Sequence, residues 1–153
     1  MGTTTSPDYS GISVKIDAAP NLTPAGNPSE IGHLEDINPI IDKSRSVKKY
    51  DPINDKTYEQ VVALGVLTYG AFSAKVLYDP RSNEGINKIE HAIDTNEAVE
   101  ITIELNDSKG SNGTIIKQLC KISKFSVTGE RDGKLMADVG AERIGTTSIT
   151  PAA

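Results

Sequence analysis

The sequence holds 153 residues with no tryptophan, a single cysteine and few aromatic side chains, 5% of the chain. Each shortage closes off a class of function. Single-stranded nucleic acid and sugars are gripped by stacking on exposed rings, and this chain has few rings to offer. One thiol, Cys120, allows neither an internal disulfide nor a thiolate metal cluster; it stands in an alternating apolar segment, as a small buried hydrophobe does. Basic residues are also short, 16 Lys and Arg against 21 Asp and Glu, for a formal charge of −5. A nucleic-acid binder carries a basic stripe that neutralises phosphates, whereas an acidic surface keeps DNA from adhering. No run of about 18 apolar residues is present, so no helix is expected to span a membrane. The start, Met1 to Tyr9, has neither the basic nor the apolar stretch of a signal peptide, and folding in a cytoplasm is expected.

Catalytic motifs are missing as well. His33 and His91 are far apart, and neither has a second ligand at metal-binding spacing. There is no Gly-x-Ser-x-Gly elbow, no phosphate loop and no Gly-x-Gly-x-x-Gly. Asp51 to Asp55 offers oxygen ligands but lacks the glycine and trailing glutamate of a calcium loop. Glu100 and Glu104 share a strand face, yet four residues of strand separate them by about 13 Å, too far for two-carboxylate hydrolysis. The chain is read as a non-enzyme with no metal and no cofactor.

What the chain has is alternation. A length of 153 residues suits one domain with one core. After an arm at 1–10, Ile12, Val14 and Ile16 alternate with polar residues, as in a half-buried strand. Pro20, Pro24 and Pro28 make the next segment an extended loop, and 30–37 is a weaker strand. Tyr58 to Tyr78 reads as two long strands with a bend or bulge at Gly65 or Gly70. The period then changes: Ile86, Ile89 and Ile93 form the core stripe of one helix over 83–94, with Ser82 or Asn83 as its cap. Glu97 to Leu105 is the clearest strand, with Val99, Ile101, Ile103 and Leu105 on one face. Thr114 to Thr128 is a long strand whose phase shift near Cys120 to Ile122 predicts a bulge. Arg131-Asp132-Gly133 is a hairpin turn, Lys134 to Ile144 the last strand, and 145–153 a polar tail. Strands and helices do not alternate, so the expected fold is mainly β: an antiparallel sandwich or barrel with one flanking helix, and with an extended N-terminal arm, loop and C-terminal tail.

Charge is unevenly placed. Asp94 to Asp107 is acidic, while Lys117 to Lys134 is mostly basic, so cross-strand pairs such as Glu104 with Lys117 are expected if those strands are neighbours. Asp42 to Thr57 carries Lys43, Arg45, Lys48 and Lys49, with Val47, Tyr50 and Ile53 as its few apolar anchors. Such a segment cannot offset its own ordering entropy. It is either a solvated charged hairpin or a loop that orders against a partner subunit.

The succession from 42 to 150 resembles the tail tube, or major tail, proteins of lambda-like siphophages. The resemblance is carried by a charged loop, two strands ending in Val76-Leu77-Tyr78-Asp79-Pro80, and the helix Gly85 to Ile93. It continues with Val99-Glu100-Ile101-Thr102-Ile103, Phe125 to Glu130, and a closing strand near Arg143-Ile144-Gly145. It implies a non-enzymatic virion protein, assembled in a bacterial cytoplasm, whose copies join sheets edge to edge into hexameric rings that stack as a tail tube. The lumen first holds the tape-measure protein and then passes DNA, and tail terminator and tail-tip proteins are further partners. The long loop of such proteins meets the adjacent ring, which assigns that contact to Lys43, Arg45, Lys48, Lys49, Tyr50 and Ile53. Glu59, Glu100 and Glu104, on polar strand faces, are candidates for the lumen wall. Two other readings stay open: a monomeric β-domain that binds a protein or ligand, and the tube of a secretion system or contractile tail.

Overall fold

The structure, a computed structural model, describes residues 12–32, 34–50, 61–79, 81 and 84–153. The strands are β1 (Ser13–Ala19), β2 (Ser29–Glu30), β3 (Leu34–Asn38), β4 (Lys43–Tyr50), β5 (Val61–Tyr69), β6 (Ala71–Leu77), β7 (Ala98–Glu104), β8 (Ile115–Gly129) and β9 (Leu135–Thr150), with a helix α1 (Glu84–Thr95) between β6 and β7. Seven strands form one antiparallel sheet in the order β2-β1-β7-β8-β9-β6-β3, and β4 and β5 form a second, two-stranded sheet. The expected mainly-β architecture with one flanking helix is what the chain adopts.

Alternation explains the core. Val14 and Ile16, then Val99, Ile101 and Ile103, then Ile116, Cys120 and Ile122 turn inward from one wing of the sheet. Phe72, Ala74 and Val76 turn inward from the other. Phe72 of β6 and Ile101 and Ile103 of β7 line one small interior gap, so the two wings face each other across the core. The fold is therefore sandwich-like, its wings joined through the long strands β8 and β9. Burial pushes the Cys120 thiol up to about 12, so it stays a neutral, unreactive hydrophobe.

The helix closes the open side. Ile86 and Ile89 are fully buried, Ala92 nearly so and Ile93 partly, and the helix rests chiefly on β8 and β1, with β2 and β7 beside it. A β-carbon at Gly85 would stand 2.3 Å from the Glu30 carbonyl oxygen, so the helix meets β2 closely only because that residue is glycine. Lys88 ties the same end down by donating to Ser29 Oγ (2.8 Å) and to the Asn27 carbonyl. The proline-rich loop is gripped from below, where Asp17 Oδ2 accepts the Gly26 N–H at 2.8 Å and Oδ1 the Asn27 N–H at 3.3 Å.

Arg143 holds the two sheets together. It lies on β9 with Ala137, Val139 and Ala141 on the inward face, is 8% exposed, and stands opposite Cys120. Among the described residues no carboxylate comes within ion-pair distance of it. Instead Nη1 donates to the carbonyls of Gly70 (2.9 Å) and Ala71 (3.3 Å), and Nη2 to those of Ile40 (3.1 Å) and Pro39. The guanidinium carbon also lies 5.2 Å from the centroid of the Phe72 ring. These four carbonyls belong to the two points where the chain leaves the large sheet for β4 and returns from β5. A planar fork with five donors spans both strands at once.

Two expectations need correction. The polar tail at 145–153 is mostly strand: β9 runs to Thr150, with Ile116 opposite Ile149 and Ile115 opposite Thr150. The Ala153 carbonyl then accepts the backbone N–H groups of Lys109, Ser111 and Asn112 at 3.2, 2.9 and 3.1 Å. A bulge with Gly145 at φ 73° breaks the alternation there and makes the strand read as if it ended. The loop at 42–57 is also strand in its described part, since β4 occupies Lys43–Tyr50 and pairs with β5. The arm at 1–10, the helix cap at Ser82 or Asn83, and His33 lie outside the described residues.

Ile89→Ala is expected to destabilise the protein by about 2–5 kcal/mol, since it empties a fully buried site; urea unfolding measures it, and an unchanged midpoint would contradict the packing. Arg143→Met should cost about 1.5–3 kcal/mol by stripping charged donors from partly buried carbonyls. Arg143→Lys should recover little of that loss, because an ammonium cannot span both strands.

Candidate assembly site

Much of the β4–β5 hairpin is exposed among its described residues. Lys43, Arg45 and Val47 alternate onto one face, opposite Tyr69, Leu67 and Leu64. Ser44 and Thr68 meet on the other face through a 2.9 Å hydroxyl contact. All the residues from Lys43 to Val47 are exposed, and Val47, Leu64 and Val66 are 52, 63 and 81% exposed. Ser46 stands opposite two residues, Gly65 and Val66, in the bulge that separates the Arg45–Leu67 pair from the Val47–Leu64 pair; Gly65 thus marks the expected irregularity. A lone two-stranded hairpin is marginal in water. Each of those three apolar side chains would contribute about 1.5–3 kcal/mol on full burial, and Arg143 bonds to the backbone at both ends of the hairpin's root.

Of the residues assigned to an inter-ring contact, the structure brings Lys43, Arg45, Lys48, Lys49 and Tyr50 together on β4. Arg45 Nη1 is partly engaged already, donating to the Gly65 carbonyl at 3.0 Å. Ile53 lies outside the described residues, as does Glu59. The sequence reading missed Leu64 and Val66, the most exposed apolar side chains among the hairpin's described ones. An apolar residue on an exposed strand carries the same letter as one in a core, and only the missing partner layer tells them apart.

Glu100 and Glu104 do share the outward face of β7, with β1 on one side and β8 on the other. Lys15 and Lys117 both stand opposite Thr102, between the two glutamates. Glu104 lies opposite Ile115, so the anticipated Glu104–Lys117 partnership is displaced by one position along the face. Its Oε1 accepts the Gly113 N–H at 3.1 Å instead. These side chains line a groove of about 440 Å³ bordered by Pro24, Gly26 and Pro28. Three acids, Asp17, Glu100 and Glu104, against two lysines, Lys15 and Lys117, leave this groove slightly acidic. Among the described residues no group of three or more His, Cys, Asp and Glu side chains could hold a metal ion. His91 Nε2 of the helix lies 3.7 Å from Glu97 Oε2, with both side chains exposed.

No protein-family model matches the sequence, and no curated protein matches it. Solved structures match its fold over nearly the whole chain. A chain in the tail of an empty gene transfer agent particle, refined with C6 symmetry, superposes with a TM-score of 0.69 at 14% identity, covering 95% of this chain and 99% of that one. The SPP1 tail tube gives 0.66 at 8% identity, with 92% and 76% covered. A chain in the extended sheath–tube complex of an extracellular contractile injection system gives 0.63 at 8% identity, with 95% and 91% covered. The chain shares the fold of proteins found in phage tails and contractile injection machines.

Proposed function

We propose that this chain is the tube subunit of a phage-like tail. Copies join side by side into rings, hexameric as in the C6-symmetric tail that it resembles in fold, and the rings stack into a tube that DNA traverses after a tape-measure protein has left it. Tail terminator and tail-tip proteins cap the two ends, and the protein resides in the virion after assembly in the host cytoplasm. It performs no catalysis; its work is assembly. The observation that carries the reading is the β4–β5 hairpin, a rigidly rooted arm with exposed Val47, Leu64 and Val66 and a row of basic residues. It has the composition of a segment completed by a neighbouring ring, where Tyr50 and Ile53 also find cover. Exposed ion pairs contribute at most about 1 kcal/mol each, so the apolar contacts outweigh any single lysine.

Glu59, Glu100 and Glu104 are placed on the lumen wall in this reading. With Asp17 as a third acid and Lys15 and Lys117 beside the described pair, the wall is slightly acidic, and phosphates pass without a ladder of bound states. A second reading, the tube of a contractile machine, is favoured by the likeness to the sheath–tube complex. It uses the same subunit contacts and adds a sheath outside.

Deleting Val47 to Ile53 leaves every strand of the large sheet intact, and a folded, soluble subunit that makes no long tubes is expected. Val66→Asp, at a site 81% exposed, should do the same without changing the melting temperature. Normal tubes from both variants, seen by electron microscopy, would show that the hairpin is only a solvated ornament.

A further inference from the structure

The pairing pattern leaves two backbone edges open. β8 pairs with β7 only from Ile115 to Lys121, so residues 122–129 have β9 on one side and, among the described residues, no strand on the other. β9 pairs with β6 only from Met136 to Glu142, so residues 143–150 have β8 on one side and, by the same criterion, no strand on the other. The open stretches lie at opposite ends and on opposite sides of one ribbon. Natural edges are blunted by prolines or charges. Here Ile144-Gly145-Thr146-Thr147-Ser148-Ile149-Thr150 contains neither, and it is rich in β-branched residues that favour pairing. A second copy in the same orientation, displaced along the strands, brings its open stretch of β8 antiparallel to this one. The neighbour's β7 then falls beyond the end of β9, and β6 of the first copy falls beyond the end of the neighbour's β8, so neither strand occupies the edge that the other needs. Such a contact is heterologous, which is what closes a ring.

A buried polar pair sits where the open half of β9 begins. Between the pairs Leu119–Ile144 and Lys117–Ser148, the single residue Gln118 faces three residues, Gly145, Thr146 and Thr147. Only Arg143 and Ile144 separate this bulge from Glu142, the last residue joined to β6. Gln118 is 5% exposed and Thr147 7%. Gln118 Nε2 donates to the carbonyls of Ile144 (2.7 Å) and Leu119 (3.0 Å), with that of Gly145 at 3.4 Å, and Thr147 Oγ1 donates to Gln118 Oε1. The side chain thereby satisfies carbonyls that the bulge removes from the ladder.

We propose that Gln118 and Thr147 are positioning residues that hold the open half of β9 as a docking strand for the open half of β8 in a second copy. This rests on the tube reading and names its lateral contact. The test is hydrogen exchange on the purified full chain, dilute and assembled, with Gln118→Met and the shape-preserving Thr147→Val alongside; the second variant keeps the test open if the first does not fold. In the wild type, amides at 123–129 and 144–150 should exchange fast when dilute and slowly once assembled. The variants should need about ten-fold more protein or greater to assemble, roughly 1.4 kcal/mol per factor of ten, while the protection of the α1 amides is unchanged. A merely structural role would lower the melting temperature and spare the assembly concentration. Assemblies in which both segments stay unprotected, or variants that assemble at the wild-type concentration, overturn this inference alone. A wild type that stays monomeric at every concentration overturns the tube reading together with it.

Discussion

The pairing of β8 with β9 is the contact on which the other strands depend. β7 joins one side of this ribbon, with β1 and β2 beyond it; β6 joins the other side, with β3 beyond. Because both strands run past the partners that flank them, the ribbon reaches into both wings of the sandwich and projects beyond each. Register is fixed by two irregularities. One is the extra residue Ser123 on β8, between the pairs Ile122–Ala141 and Lys124–Gly140. The other is the larger bulge on β9 opposite Gln118. A slip of one residue would turn the apolar side chains of the ribbon to solvent.

Arg143 and Gln118 extend that ribbon's influence to the periphery. Both are inward-facing polar residues whose donors end on backbone carbonyls, and each sits where a segment departs from regular pairing. Burying such groups is tolerable only because they are satisfied. Their placement links a stable core to its projecting parts, the β4–β5 hairpin in one case and the open half of β9 in the other. Edges held in shape before they are covered leave less ordering entropy to be lost on any association.

Much of the core was legible in the sequence because alternation there is strict. Val99, Ile101 and Ile103 announced β7, and Ile86, Ile89 and Ile93 announced the helix. Of the hairpin, β5 was legible within the two strands read over 58–78, whereas β4 was not, since Lys43 to Val47 are all exposed and leave no apolar period to read. The end of β9 was lost at Gly145, where a positive φ interrupts the pattern although Thr146 to Thr150 have strand-forming side chains. Arg143 and Gln118 did leave a signal: each stands at an inward position, after Ala137, Val139 and Ala141 in one case and between Ile116 and Cys120 in the other. A polar residue that keeps step with an apolar row marks a buried group with a specific partner.

The central claim is that the chain completes itself with copies of itself. Electron microscopy of the purified wild-type protein across a concentration series, with sedimentation velocity on the same samples, tests it most directly. Rings that stack into tubes as concentration rises are the predicted result. A single monomeric species at all concentrations, with no rings or tubes in the images, would contradict it.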